Sequence, residues 1–355
     1  MEKKFKGKMQ KDNKLSKKEN ENKINSNSKC SKFKLIKDLR KGKESIKKSL
    51  VLQDGNLLVF YKDNILIYDK NDFSIRNKYE IKKGFNEYIC EIAQLTNEQV
   101  ACCLTWPPIL WGRRIIILDI SNNNIEKKQD LKPVFHGKFI NLLGSLISWE
   151  LVLSEVGFCE FFELKNKKYV LKEKIEFKDN CFVLNFFELE KDKILFIGCY
   201  DSIRNFQGDE FSLKNVILIY DISNNKNELL FKINPTNAFN NIKPILLNNK
   251  CLVFIKSGIP LGLILFDIKY MEFVTIIYSK NPNNFMTCIT KLSENLFLVG
   301  DYKGYVTLYS FENNEILEII TKKLSKKIYE ISKFNDNKFF FKDVKDETIK
   351  IYEIN

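Results

Sequence analysis

Histidine is nearly missing from this chain: of 355 residues only His136 carries an imidazole. It lies in the stretch Val134 to Lys138, flanked by apolar residues, and reads as a structural or turn residue. Without a second histidine, Ser/His catalytic arrangements and mixed His/Cys metal sites lack material. No Cys-x-x-Cys pair and no Gly-x-x-x-x-Gly-Lys-Ser/Thr phosphate loop occurs, and the carboxylates are scattered over turns without a paired spacing. No catalytic set, metal site or cofactor site is therefore expected, and an enzyme is not anticipated. Arginine is scarce as well, limited to Arg40, Arg76, Arg113, Arg114 and Arg204. Proteins that read bases through bidentate contacts favour Arg, so base-specific recognition of nucleic acid is disfavoured.

Long apolar runs are also lacking. No stretch approaches the ~20 residues that a membrane span needs, and the N-terminus is polar and Lys-rich, unlike a secretory signal. Glu2 excludes the N-myristoylation pattern, which requires Gly there. The nine cysteines fall mostly inside strand patterns (Cys90, Cys102, Cys103, Cys181, Cys199, Cys251, Cys288). They read as buried, reduced thiols, which implies an intracellular compartment, cytoplasm or nucleus. Alanine appears only three times, while Lys, Asn, Ile and Phe abound. That bias is what an AT-rich genome produces, so part of the Lys excess needs no selected purpose.

The net charge of +13 is concentrated at one end. Residues 1–48 hold 18 Lys and Arg against 6 acids, and the remainder holds 40 against 39. Residues 1–30 have too few apolar side chains to offset ordering entropy and are expected to form a disordered basic arm. Its lysines, Lys3, Lys4, Lys6, Lys8, Lys11, Lys14, Lys17 and Lys18, are suited to non-specific contact with nucleic acid or another anionic surface, or to nuclear import. A solvated extension inflated by codon bias is the simpler reading.

What the chain has in abundance is one short strand, repeated. A β-branched run ends in an aromatic or Leu and then a small acidic or polar residue: ILIYD (65–69), IIILD (115–119), CEFFE (159–163), VILIYD (216–221), LILFD (263–267), VTLYS (306–310) and IKIYE (349–353). The closing residues stand 50, 44, 58, 46, 43 and 43 positions apart. A repeat of 40–50 residues with several short strands is the sequence mark of a β-propeller. The strands come in fours, separated by turn residues such as Asp54-Gly55, Lys303-Gly304 and Asn313-Asn314. The first set reads as 49–53, 56–61, 65–69 and 74–81, and the sixth as 286–292, 296–300, 305–311 and 315–321. The others span about 85–131, 134–175, 177–233 and 239–279. The seventh set has only three strands (328–334, 338–342, 348–354), which would leave a sheet edge unpaired. FKLIKDL (33–39), ahead of the first set, is predicted to supply its missing outer strand.

DETIKIYE (346–353) resembles the D-x-T-I-x-I-W-D signature of the WD-repeat family, with Tyr352 at the Trp position and Glu353 at the final Asp. DNILIYD (63–69) and GDYKGYVTLYS (300–310) match more loosely, and the resemblance extends over 33–355 through repeat spacing. The signature Trp is replaced throughout, by Tyr68, Leu118, Phe162, Tyr220, Phe266, Tyr309 and Tyr352, and the family's Gly-His pair is absent. Its Asp-His-Ser/Thr-Trp hydrogen-bond network therefore has no material here, and stability must come from packed strands. Kelch-type propellers fit less well, because Gly-Gly never occurs.

The resemblance implies that loops between second and third strands line the rim that meets partners. Three such loops stand out. TWPPILWGRR (105–114) holds two of the three tryptophans, two arginines and paired prolines, and offers Trp106, Ile109, Leu110, Trp111, Arg113 and Arg114. Trp and Arg are the residues most enriched at binding hot spots; the bland alternative is that the apolar residues cap their own blade. The loop 200–215 offers Tyr200, Arg204 and Phe206, and 257–262 offers Ile259 and Pro260; long loops are also simply tolerated insertions. WGRR lacks the Phe/Leu-Arg-Arg-Gly order of phosphoinositide-binding propellers. The expectation is an all-β, seven-bladed propeller over 31–355, its N-terminal strand completing the last blade. It would act as a non-enzymatic protein-interaction scaffold without cofactor, metal or small-molecule substrate. The alternative is an RNA- or ribonucleoprotein-associated propeller that uses the basic arm.

Overall fold

The computed structural model describes residues 32–39, 46–62, 64–80, 88–105, 113–121, 125–134, 138–140, 151–155, 158–166, 168–176, 181–190, 193–200, 214–221, 228–233, 244–248, 250–256, 262–278, 285–343 and 348–355. Among them every regular element is a β-strand, and the strands form four-stranded antiparallel sheets. No helix among the described residues is long and apolar enough to cross a membrane. Sheets 1 to 6 each take four consecutive strands, within 48–80, 88–134, 138–176, 181–233, 245–278 and 286–323. Sheet 7 takes Ile328–Asn335, Lys338–Asp343 and Thr348–Ile354, and its outer strand is Phe33–Leu39. That strand pairs antiparallel with Thr348–Ile354 from Phe33↔Ile354 to Leu39↔Ile349. The two chain segments also exchange backbone hydrogen bonds between Lys32 and Asn355, at 3.4 and 3.1 Å.

Burial explains the sequence pattern strand by strand. Middle strands are covered on both faces and read as unbroken apolar runs: Leu57–Phe60 and Cys251–Ile255 are buried throughout. Outer strands face solvent: Ile75–Glu80 has no buried residue, and Glu315–Lys323 has one, Ile316. Tight hairpins use the residues that tolerate positive φ. Asn313 and Asn314, at φ 52° and 64°, turn the chain between the third and fourth strands of sheet 6.

Alternate residues of each third strand point to opposite neighbours. In sheet 1, Ile65 and Ile67 join a cluster with Val100, Cys102 and Ile116 of sheet 2. Leu66 and Tyr68 join Leu39, Phe340 and Ile351 of sheet 7. Equivalent clusters lie between sheets 2 and 3, 4 and 5, 5 and 6, and 6 and 7. Sheets 3 and 4 meet through Leu151–Glu155 and Phe158–Lys165 against Cys181–Glu190. Each fully buried Leu, Ile or Phe contributes about 1.5–3 kcal/mol relative to exposure, so these faces supply the cohesion between sheets.

One irregularity recurs in all the sheets. The fourth strand bulges opposite the residue at the repeat's aromatic position, inserting Arg76, Lys128, Lys172, Leu230, Val274 and Ile319 in sheets 1 to 6. In sheet 7 the same bulge inserts Ile36, opposite Tyr352. A bulge bends and twists its strand. Its presence in Phe33–Leu39 marks that segment as equivalent to the other fourth strands, although it precedes them all in sequence.

Candidate partner-binding face

The sheets share one strand order, so the connections between second and third strands all emerge at one end of their sheets. The connection 106–112 is framed by the backbone pair Thr105↔Arg113 in sheet 2, 201–213 by Tyr200↔Lys214 in sheet 4, and 257–261 by Lys256↔Gly262 in sheet 5. The strands that frame the three connections are second and third strands of their sheets, as the sequence pattern had them. Trp106, Ile109, Leu110, Trp111, Arg204, Phe206, Ile259 and Pro260 themselves lie outside the described residues, as do Lys3 to Lys18 of the basic arm and His136. Arg113, Arg114 and Tyr200 have described backbones in strands, but their side chains lie outside the description.

Side-chain geometry at this end is described for sheets 6 and 7. The turn Asp301 to Gly304 joins the second and third strands of sheet 6. Asp301 Oδ1 accepts the N–H groups of Lys303 and Tyr305, both at 2.9 Å. Gly304 has φ +86°, and its carbonyl accepts the N–H groups of Leu324 at 2.9 Å and Ser325 at 3.2 Å. The connection from sheet 6 to sheet 7 is thus fastened onto the turn. From there Ser325 Oγ donates to Asp343 Oδ2 at 2.8 Å, and Lys350 Nζ lies 2.7 Å from the same oxygen. Both members of that ion pair are largely buried, so removing either one alone would be costly. Thr287 Oγ1 donates to the carbonyl of Ile328, linking the first strands of the two sheets.

On this frame sit three exposed aromatics: Phe285 at 56%, Tyr329 at 48% and Tyr302 at 40% of full exposure. The Tyr302 N–H donates to the Phe285 carbonyl at 2.8 Å. The Tyr302 and Tyr329 rings meet edge-on at 5.9 Å and 83°. Lys327 Nζ bonds the Tyr302 hydroxyl and lies 4.2 Å from its ring centroid. This contact raises the Lys327 ammonium above its ordinary value and lowers the Tyr302 phenol. The sequence reading missed these residues because it sought long insertions, whereas this turn is short. An aromatic at Tyr302, in a turn otherwise made of Asp, Lys and Gly, was the available signal.

Among the described residues no group of three or more His, Cys, Asp or Glu could hold a metal ion. Cys102, Cys159, Cys251 and Cys288 are buried. Burial pushes the thiol of Cys251 up to about 11 and that of Cys288 to about 12, far from the thiolate form that reacts.

No protein-family model matches the chain, and no curated protein matches it by sequence. The fold does match solved structures. The structure of U3-55K aligns with TM-score 0.65 and 11% identity, over 90% of this chain and 98% of that one. A chain of the mitotic checkpoint complex aligns with TM-score 0.61 and 8% identity, over 93% and 99%. Raptor from Chaetomium thermophilum aligns with TM-score 0.64 and 11% identity; 90% of this chain is covered but only 29% of the Raptor chain. These neighbours contain WD40 propellers, and at such identities the likeness is one of fold alone.

Proposed function

We propose that this chain is a non-enzymatic protein-interaction scaffold, a seven-bladed WD-like propeller over residues 31–355 that serves as subunit or adaptor of a larger complex. The observation that carries the reading is the unbroken series of packed sheet interfaces, from sheet 1 to sheet 7 and back to sheet 1. That series, with the outer strand of sheet 7 drawn from the N-terminal side, is what a closed ring requires. A closed ring leaves only short, protected sheet edges and presents loops on a rigid frame, which loses little entropy on binding.

The partner rim is formed by the second-to-third-strand connections. Trp106, Ile109, Leu110, Trp111, Arg113 and Arg114 are its anchors in sheet 2, with Tyr200, Arg204 and Phe206 in sheet 4 and Ile259 and Pro260 in sheet 5. Trp and Arg anchors of this kind dominate binding energies at interfaces. The buried thiols of Cys102, Cys251 and Cys288, none of them in a disulfide, support a reducing, intracellular setting, cytoplasm or nucleus. The test is affinity capture from the native cell with the wild-type chain and with Trp111→Ala combined with Arg113→Ala. Partner recovery should fall at least tenfold with the double variant; equal recovery would remove the rim assignment.

A further inference from the structure

We infer that the aromatic–lysine platform between sheets 6 and 7 is a docking site for an acidic peptide segment that carries an apolar side chain. The inference rests on the scaffold reading above and assigns one partner chemistry to a surface outside the three long loops.

The first argument is charge. Residues 322–330 contain four lysines, of which Lys322 is turned to the Phe33 carbonyl, and a single carboxylate, Glu330; Lys303 adds a further cation on the facing turn. Among the described residues of the frame, Asp301 and Asp343 are bonded to backbone, serine and lysine. Lys327 is held by a phenol and Lys323 lies over the Tyr305 ring at 5.6 Å, so neither of these contacts is with a carboxylate. The described side chains of this surface therefore carry an excess of positive charge, which suits an anionic ligand. The second argument is apolar area. Phe285 and Tyr329 are about half exposed; Tyr329 meets the Tyr302 ring edge-on, and the Phe285 carbonyl is bonded to the Tyr302 N–H. Exposed aromatics on a rigid frame are anchors for a partner's aliphatic or aromatic side chain.

The ring geometry favours peptide over nucleic acid. Stacking of bases needs open aromatic faces. Tyr302 has Lys327 over its ring and Tyr329 against it edge-on, so its faces are already used. The platform also contains no arginine.

The test is selection of a displayed random dodecapeptide library on the full-length chain, with counter-selection on a Phe285→Ser, Lys327→Glu variant whose melting temperature matches wild type. The expected result is enrichment of peptides with Asp or Glu flanking an aromatic or aliphatic residue. Synthetic copies should bind at least tenfold more weakly to Phe285→Ser, to Tyr329→Ser and to Lys327→Glu, each assayed singly, and should weaken with added salt. Enriched peptides that are neutral or basic, or that bind all variants equally, would overturn the assignment. So would poly-uridylate RNA that binds wild type more tightly than the peptides and loses affinity in the same variants. If the peptides fail while native partners are still captured through Trp111 and Arg113, this site falls and the scaffold reading stands.

Discussion

Removing one side chain near the start of the chain should weaken contacts made near its end. Phe33 is 3% exposed and packs edge-on against Phe339, with ring centroids 5.2 Å apart. It shares a cluster with Leu298 and Leu308 of sheet 6 and with Phe341 and Tyr352 of sheet 7. Truncating a buried Phe to Ala costs about 3–5 kcal/mol, of which the aromatic pair accounts for about 0.5–1.5. Two positions along the same strand, Leu35 is 48% exposed, so Leu35→Ala should stay within about 0.5 kcal/mol. Equilibrium urea denaturation followed by far-ultraviolet circular dichroism reads both, through the midpoint at constant slope. A double-mutant cycle of Phe33→Ala with Phe339→Ala should return a coupling of about 0.5–1.5 kcal/mol. Equal, small losses for Phe33→Ala and Leu35→Ala, with no coupling to Phe339, would refute the placement of 33–39 in sheet 7.

Two further outcomes follow from local geometry. Gly304→Ala should cost about 2–3 kcal/mol, because φ is +86° and a Cβ would collide with the Ser325 carbonyl; Gly55→Ala, also at positive φ but facing the flexible Lys70 side chain, should cost only about 1 kcal/mol. Thermal melts of the two variants compare them directly. Stability should fall on the alkaline side: burial, aided by Glu318, raises the Tyr309 phenol from 10.0 to about 12. Its contribution is complete below pH 10 and is lost as pH rises toward 12, because the unfolded phenol ionises first. Tyr309→Phe should make the fall less steep between those values, while the buried thiols of Cys251 and Cys288, raised from 9.0 to about 11 and about 12, keep the remaining slope from pH 9 upward.

Much of the sheet layout was legible because burial on both faces leaves a plain mark in sequence. The third strands are continuous β-branched runs closed by an aromatic, and hairpin turns carry Gly or Asn where φ is positive, as at Gly55 and Asn313. Thr348–Ile354 begins and ends where the pattern put it, and Phe33–Leu39 covers the predicted segment. Strand ends drifted elsewhere. The fourth strand of sheet 6 runs on to Lys323, past the expected 321, because polar residues extend an outer strand as readily as apolar ones. The platform was less legible. Tyr302, Lys327 and Tyr329 converge through the Gly304 carbonyl and the edge-on ring pair, contacts between sheets that no periodicity within one strand encodes.

The bulge explains how the sheets cohere without the Trp-centred hydrogen-bond network of WD repeats. At the repeat's aromatic position, Tyr68, Leu118, Phe266, Tyr309 and Tyr352 are buried and Phe162 half-buried. Each lies in the cluster shared with the preceding sheet. A planar or branched apolar group is what that place requires, and hydrogen bonding there is optional. Opposite it the bulge twists the fourth strand and frees one side chain from the ladder. In sheets 1 and 2 that side chain is Arg76 or Lys128, which reaches the acid closing the third strand, Asp69 at 3.9 Å or Asp119 at 3.5 Å. Exposed pairs of this kind add at most about 1 kcal/mol. In sheets 5, 6 and 7 the inserted residue is Val274, Ile319 or Ile36, with no charge to offer. The bulge persists through this change of chemistry, so backbone geometry, and not the ion pair, is what the repeat maintains.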